Sequence, residues 1–385
     1  MKASSQMLPL AEWLRPREFA MMRLLRQFVR AESPSFDKSA VDGFGKIVAA
    51  EWRRRGAKVT LLRQPERGDH IRVEWNPRGH QSRGQILVLG HLDTVYGLGT
   101  LVRVPFRLGR GRAYGPGAFD MKGGLVIALF AVDALTGTGR APQKRIVFLW
   151  TSDEEIGSGT SRAAIEREAR RSDAVLVLEP ALGLDGRVKT GRKGVGEIEI
   201  VATGRAAHAG LNPEDGVNAI QEIALQIGRI SRWNQPSRGI TVNAGVIEGG
   251  TRTNVIPDRA RVVVDVRAAR TADMRALERK FRALRPILRG AKLQIHRGFN
   301  RPPMERKRSA ALYAKARALA KEMGVTLGEA SVGGGSDGNF TAALGVPTLD
   351  GLGAVGEGAH SPSENIVIRA LPERAALVAG LLASI

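Results

Sequence analysis

QILVLGHLDTV, residues 85–95, decides the fold. Residues 85–90 are almost continuously apolar, the pattern of a short strand buried on both faces. Strands of this kind belong to mostly parallel sheets covered by helices. The run then ends on His91 and Asp93, which point to one face of extended backbone because they are two residues apart. Taken alone, the pair reads as a polar cap on a strand end. Its meaning depends on what the chain places at its other strand ends.

Working outward, the same buried run recurs at Arg145–Trp150 (RIVFLW) and Asp173–Leu178 (DAVLVL). Ser39–Gly56 has the spacing of an amphipathic helix with a glycine stop, and Gly123–Leu135 is apolar enough for a buried helix. From about residue 191 the pattern changes. Val195–Thr203 alternates like a half-exposed strand, and Gly216–Ile230 has helical periodicity. Ile240–Ile247 and Ala260–Ala268 read as strands. Thr271 suits the cap of a helix running to about Leu284, and Lys292–Arg297 reads as a further strand. The order β-α-β-β-α-β is ferredoxin-like. The tail returns to the first pattern, with helices at Ser309–Met323 and Leu371–Ile385 around a strand at Val346–Gly351. The predicted fold is therefore α/β, a mixed and mostly parallel sheet flanked by helices, with an inserted ferredoxin-like α+β domain. Residues 1–190 and 301–385 form the discontinuous larger domain and residues 191–300 the insert.

The chain has 385 residues, 43% of them hydrophobic, enough to bury a core rather than remain disordered. It has no cysteine, which excludes disulfides and thiolate metal sites, so any metal must be held by histidine, carboxylate or water. The first thirty residues show neither a signal-peptide pattern nor a membrane span, and a cytoplasmic location is the expectation. Fifty-nine Lys and Arg against 38 Asp and Glu give a net charge of +21. These cations are scattered, with only short runs such as Arg53-Arg54-Arg55. Few aromatics accompany them, and no nucleic-acid-binding motif is present. The charge reads as a solvated surface, with steering of anionic substrates as the second choice. Neither nucleic acid nor a membrane is expected as a partner.

Four further polar stretches sit where α/β sheets place their sites, just after strands. GPGAFDMKGG (115–124) puts Asp120 in a glycine-rich loop that opens the apolar helix. An aspartate there also suits a helix cap, and the loop lacks the spacing of a phosphate-binding motif. TSDEEIGSGT (151–160) brings three adjacent carboxylates, Asp153, Glu154 and Glu155, which repel one another without a cation. Glycines follow rather than lysines, so a metal resolves the repulsion. One glutamate is placed to ligate while its neighbour reaches a bound water. Glu179 ends the apolar run DAVLVL and needs a partner, and GAHSPSEN (358–365) carries His360 after the strand VPTLDG. Two histidines and several carboxylates at strand ends suit a two-metal site with nitrogen and oxygen ligands, zinc first.

These residues resemble the co-catalytic zinc exopeptidases and amidohydrolases, the family of glutamate carboxypeptidase, aminoacylase, acetylornithine deacetylase and succinyl-diaminopimelate desuccinylase. GHLDTV, GPGAFDMKGG, SDEEIGS, LEP, AAHAG, TNVIP, DVRA, GGGSDGNF and GAHSPSE occur in family order over nearly the whole chain. LEP, KTGRKG and the tail motifs are most similar to the glutamate carboxypeptidase branch. The resemblance implies two zinc ions, with cobalt or manganese able to take their place. It makes His91 and Glu155 ligands of different ions, Asp120 the bridge between them, followed by a cis peptide, and Glu179 and His360 the remaining ligands. Asp93 becomes the partner of His91 and Glu154 the general base. His208, by composition a surface loop histidine, becomes an oxyanion-stabilising group that reaches a partner subunit's site, which implies a homodimer with the insert as dimerisation surface and lid. Arg267, Arg301 and Asn254 match substrate contacts, Arg187 matches by its spacing after Glu179, and Gly334 belongs to a loop whose backbone lies against substrate.

The implied activity is release of a C-terminal amino acid such as glutamate from an N-acyl or peptide substrate. An N-acyl-amino-acid deacylase or dipeptidase is the alternative. A basic nucleic-acid-binding protein leaves the carboxylate cluster unexplained. A silent binding protein on the same scaffold would bind identically without Glu154.

Overall fold

The computed structural model describes residues 7–385. Residues 1–6, where the stretch read as lacking a signal peptide begins, lie outside the described residues. The chain forms two compact units. The first takes the chain up to Gly191 together with Arg306–Ser331 and Ser336–Ile385. The second takes Arg192–Glu305 and Val332–Gly335.

In the first unit, strands β1 (Lys58–Leu62), β2 (His70–Trp75), β3 (Gln85–His91), β4 (Arg145–Thr151) and β5 (Ala174–Val177) build a mixed sheet. Its order is β1-β2-β4-β3-β5, followed by the short strand Thr348–Leu349. The hairpin β1–β2 joins β4 antiparallel, while β3 pairs parallel with both β4 and β5. Parallel register sets His91 opposite Thr151 and Leu89 opposite Val177. The C-terminal ends of β3, β4 and β5 therefore meet at one edge of the sheet.

Both faces of the sheet are covered, as the apolar runs require. Leu87, Leu89, Val147, Leu149, Val175 and Val177 pack with Ile165 and Phe340 on one side. Ile86, Val88, Phe148 and Trp150 join the larger core on the other side. That core includes helices α1 (Glu18–Arg30), α2 (Lys38–Arg54) and α3 (Gly123–Gly137). Helix α2 starts one residue before the expected Ser39, because the Asp37 side chain accepts from the Ala40 amide and caps it. Helix α3 is buried on nearly all sides, so its lack of an amphipathic stripe is what its position demands. Each large aliphatic side chain buried here contributes about 1.5–3 kcal/mol.

The second unit is an antiparallel sheet of β6 (Gly194–Thr203), β7 (Thr241–Gly249), β8 (Arg259–Ala268) and β9 (Lys292–Arg301), in the order β7-β8-β6-β9. Helices α4 (Ala219–Ser231) and α5 (Thr271–Arg282) lie in this unit. Ile200, Val262, Val264, Val266, Ile223 and Phe281 form its separate core. This strand order and the β-α-β-β-α-β sequence make it ferredoxin-like.

Two local expectations need correction. The strand Val346–Gly351 shrinks to Thr348–Leu349. Pro347 has no amide to donate, and Gly351 takes a left-handed φ of 74° that ends extended pairing. Thr271 does not cap α5 but is its first residue, with no side-chain cap from Arg270. The Glu305 carboxylate fills that role, accepting from the Thr271 amide at 3.0 Å and hydroxyl at 2.8 Å. Among the described residues no helix is long and apolar enough to cross a membrane.

Candidate metal centre

The strand ends of the first unit bring two groups of side chains together, each with ligand atoms within 4.8 Å of one another. The first is His91, Asp120 and Glu179, and the second is Asp120, Glu155 and His360. Asp120 belongs to both. Its Oδ1 lies 3.2 Å from His91 Nε2, and its Oδ2 lies 3.4 Å from His360 Nε2. Glu179 Oε1 stands 3.6 Å from the same His91 nitrogen, and Glu155 Oε2 stands 3.2 Å from His360 Nε2. The geometry is that of two adjacent groups able to hold a metal ion, with one carboxylate in common.

Each side chain is delivered by a local device. His91 ends β3 and is 1% exposed. The Asp120 loop is held by Glu364, whose carboxylate accepts from the amides of Gly117, Phe119 and Asp120 at 2.8–2.9 Å. Gly117 must be glycine, since its φ is 71° and an added Cβ would sit 2.8 Å from the Thr94 methyl. The Asp120–Met121 peptide is cis. His360 has a left-handed φ of 61°, a conformation a non-glycine residue adopts at a cost and that recurs at functional sites. Half of its side chain is exposed, so the second group opens to solvent while the first is enclosed.

Asp93 is more than a partner for His91. The His91 Nδ1 is 2.9 Å from the Asp93 backbone carbonyl and 3.4 Å from its carboxylate, so the carbonyl makes the better hydrogen bond. The Asp93 carboxylate instead accepts from the amides of Glu154 and Glu155, both at 3.2 Å, and from the Ser35 hydroxyl at 2.7 Å. One aspartate thus sets the backbone of both neighbouring glutamates.

The third carboxylate, Asp153, turns away. Its Oδ2 accepts from the amide and hydroxyl of Thr160 at 2.6 and 2.8 Å. His70, at the start of β2, completes this underside and was not singled out by the sequence. Its Nδ1 accepts from the Ser152 amide at 3.2 Å, and its Nε2 is 3.2 Å from the Thr160 hydroxyl. Burial pulls the His70 pKa down against the nearby Asp153 charge. It acts as a neutral brace under the loop that carries Glu154.

Whether these groups suit a metal is answered by their charge and by one orphaned atom. Burial disfavours charge on His91, but hydrogen bonds to Asp120 and Asp93 prevail and raise its pKa well above the ordinary value. Hydrogen bonds to Asp120 and Glu155 lift His360 to about 10. Burial opposes ionisation of Asp120, yet the two imidazoles hold its carboxyl far below the usual range. The carboxylates recruit protons to the imidazoles because the cluster demands positive charge, which divalent cations supply directly. Glu155 Oε1 is buried with no hydrogen-bond partner, an acceptor placed for a cation. Nitrogen and oxygen donors without sulfur fit zinc, cobalt or manganese.

The remaining expected residues fall elsewhere. Arg187 pairs with Asp185 at 3.0 Å in a turn of the first unit, and its stem lies against Gly328. Neither contact is with the carboxylate–imidazole groups. In the second unit, His208 pairs with Val255 across two short strands, and the neighbouring Ala209 amide donates to the Asn254 carbonyl at 3.0 Å. His208 Nδ1 accepts from the Gly210 and Leu211 amides, which leaves the proton on the exposed Nε2. Arg267 and Arg301 gather at the loop Gly333–Gly335. Arg267 donates to the Gly333 carbonyl at 2.9 Å and grips Asp265 with two further nitrogens, and the Arg301 stem lies against Gly335. Arg192, in the quoted KTGRKG stretch, joins them by donating to the carbonyls of Gly334 and Gly335.

A covered α/β sheet that presents two carboxylate–imidazole groups sharing one aspartate defines a metal-dependent hydrolase. Residues 87–384 match the model of peptidase family M20/M25/M40, and the chain belongs to that family. It is 33% identical over 374 residues to carboxypeptidase G2 of Pseudomonas sp. (strain RS-16), covering 94% of this chain and 88% of that protein. Its fold is similar to an aminopeptidase from Bacillus cereus (TM-score 0.78, 22% identity, 95% and 98% of the two chains). It is also similar to an M20 family metallo-carboxypeptidase from Sulfolobus solfataricus (TM-score 0.74, 18% identity, 94% and 98%).

Proposed function

We propose that the protein is a two-zinc carboxypeptidase that releases a C-terminal acidic amino acid, glutamate or one like it, from N-acyl or peptide substrates. The observation that carries this is the pair of ligand groups sharing Asp120, with Glu154 fixed beside them. His91, Asp120 and Glu179 would hold one ion, and Asp120, Glu155 and His360 the other. Bound there, such ions stabilise developing negative charge and acidify a water. Glu154 takes the proton of the water that attacks the amide carbonyl and returns it to the leaving nitrogen. In this scheme His208 reaches the site of a partner subunit, where its Nε2 donates to the developing oxyanion.

Similarity to carboxypeptidase G2 supports release of a C-terminal residue, and the arginines gathered at the glycine loop suit an acidic one. Arg267 braces that loop through Asp265 and Gly333, and we assign Arg267 and Arg301 to the substrate carboxylate. Asn254 contacts the substrate amide in this scheme, the Gly334 backbone lines its path, and Arg187 is left with Asp185. N-Acyl-glutamate is expected to exceed N-acyl-alanine in kcat/KM by about 100-fold or more. Equal rates on the pair would remove the acidic preference and favour a general deacylase or dipeptidase.

The homodimer belongs to the same proposal. Strand β7 is an edge strand of its sheet, and its Val246 and Ile247 are about half exposed, as an edge that pairs with a second copy requires. With a chain mass of 41.5 kDa, light scattering is expected to give twice that value. A charge placed at Ile247 should shift it to the monomer. A monomeric wild type would refute the dimer without touching the metal centre.

A further inference from the structure

Helices α1, α2 and α3 of the first unit enclose an open groove of about 900 Å³, the size of a small-molecule site. Five arginines line it, against two carboxylates. Both carboxylates are already committed. Asp133 receives a two-pronged fork from Arg55 at 2.8 and 2.7 Å, and Glu51 pairs with Arg54 and Arg55. The other three arginines, Arg23, Arg26 and Arg30, lie on the exposed face of α1. Among the described residues their guanidinium groups have no hydrogen-bond or ion-pair partner.

Spacings of three and four residues set these three cations side by side, where like charges repel. They run about 10 Å along the helix axis. A single phosphate or carboxylate therefore satisfies one or two of them, and a chain of linked anionic groups satisfies all three. Guanidinium forks match phosphoryl oxygens in geometry as well as charge. We propose that this groove binds a soluble oligophosphate, either free or carried by a nucleoside, through Arg23, Arg26 and Arg30. The site is separate from the carboxylate–imidazole groups and uses none of their residues.

The test is calorimetric titration of the full-length protein with tripolyphosphate and with ATP at about 0.15 M salt, where screening suppresses diffuse surface attraction. Metal content is measured before and after, because both probes chelate. Wild type is expected to bind one or both saturably, with Kd below about 100 μM (about −5.5 kcal/mol). The triple variant Arg23→Gln/Arg26→Gln/Arg30→Gln should weaken binding at least tenfold while its hydrolysis of an acyl-amino acid stays at the wild-type rate. Glutamine keeps helix propensity and the exposed face, so the fold survives. A control, Arg275→Gln/Arg279→Gln/Arg282→Gln on α5, removes the same charge elsewhere and should bind as wild type. Tighter binding of ATP than of tripolyphosphate identifies the nucleoside-carried form, and equal binding identifies the phosphate chain alone. Equal losses in the two triple variants, no saturation by either probe up to millimolar concentration, or citrate binding as tightly as tripolyphosphate would each overturn the site.

Discussion

Glu154→Gln is expected to lower kcat by about 10²- to 10⁴-fold, about 3–5 kcal/mol on the barrier, while bound metal and KM stay near wild type. The expectation rests on how adjacent residues divide. Glu155 reaches His360 Nε2 and joins a ligand group, whereas Glu154 belongs to neither group. Both backbones are fixed by one carboxylate, that of Asp93, at equal 3.2 Å hydrogen bonds. Glutamine preserves size and backbone and removes only the ability to take and return a proton. Metal analysis beside kinetics makes the test sharp. If metal content falls together with kcat, Glu154 is a ligand. If kcat stays within tenfold of wild type, another group moves the proton.

The sheet and the strand-end placement were legible because a doubly buried parallel strand has a distinctive sequence. Leu87 and Leu89 pack to one face while Ile86 and Val88 pack to the other, so every position must be apolar. What followed from long-range contact was hidden. His70 is 82 residues from Ser152 in the chain, and no local pattern links them. Glu305 caps α5 from 34 residues away, so Thr271 looked like a cap by composition. The relation of Asp93 to His91 was legible in kind but not in detail. Period-two reasoning put both side chains on one face, yet β3 stops at His91. Beyond it the Asp93 carbonyl, not its carboxylate, makes the shorter bond to the imidazole. The substrate role of Arg187 was read from spacing alone. Eight residues after Glu179, it lies in a turn that pairs it with Asp185.

Asp120→Ala should have the broadest effect of any single substitution, because both ligand groups contain that residue. His91 and His360 would each lose the carboxylate oxygen at 3.2 and 3.4 Å. Neither Glu179 nor Glu155 alone can hold the two sites in register. Bound metal is expected to fall below half the wild-type content, with activity reduced at least as far as in Glu154→Gln, about 10⁴-fold. The fold should persist, since the cores on both sheet faces are apolar and contain no member of the groups. Circular dichroism therefore separates this outcome from misfolding. Glu364→Gln provides a graded companion. Its carboxylate holds the Asp120 loop through three amides and touches no ligand-group side chain by hydrogen bond. Losing that charge should weaken metal binding by about 10- to 100-fold, as substitutions behind a ligand do, and excess zinc should restore activity. Excess zinc should not restore Asp120→Ala. An Asp120→Ala protein with full metal content and wild-type kcat would show that the two groups do not act as one centre, and the sharing of Asp120 would then carry no chemistry.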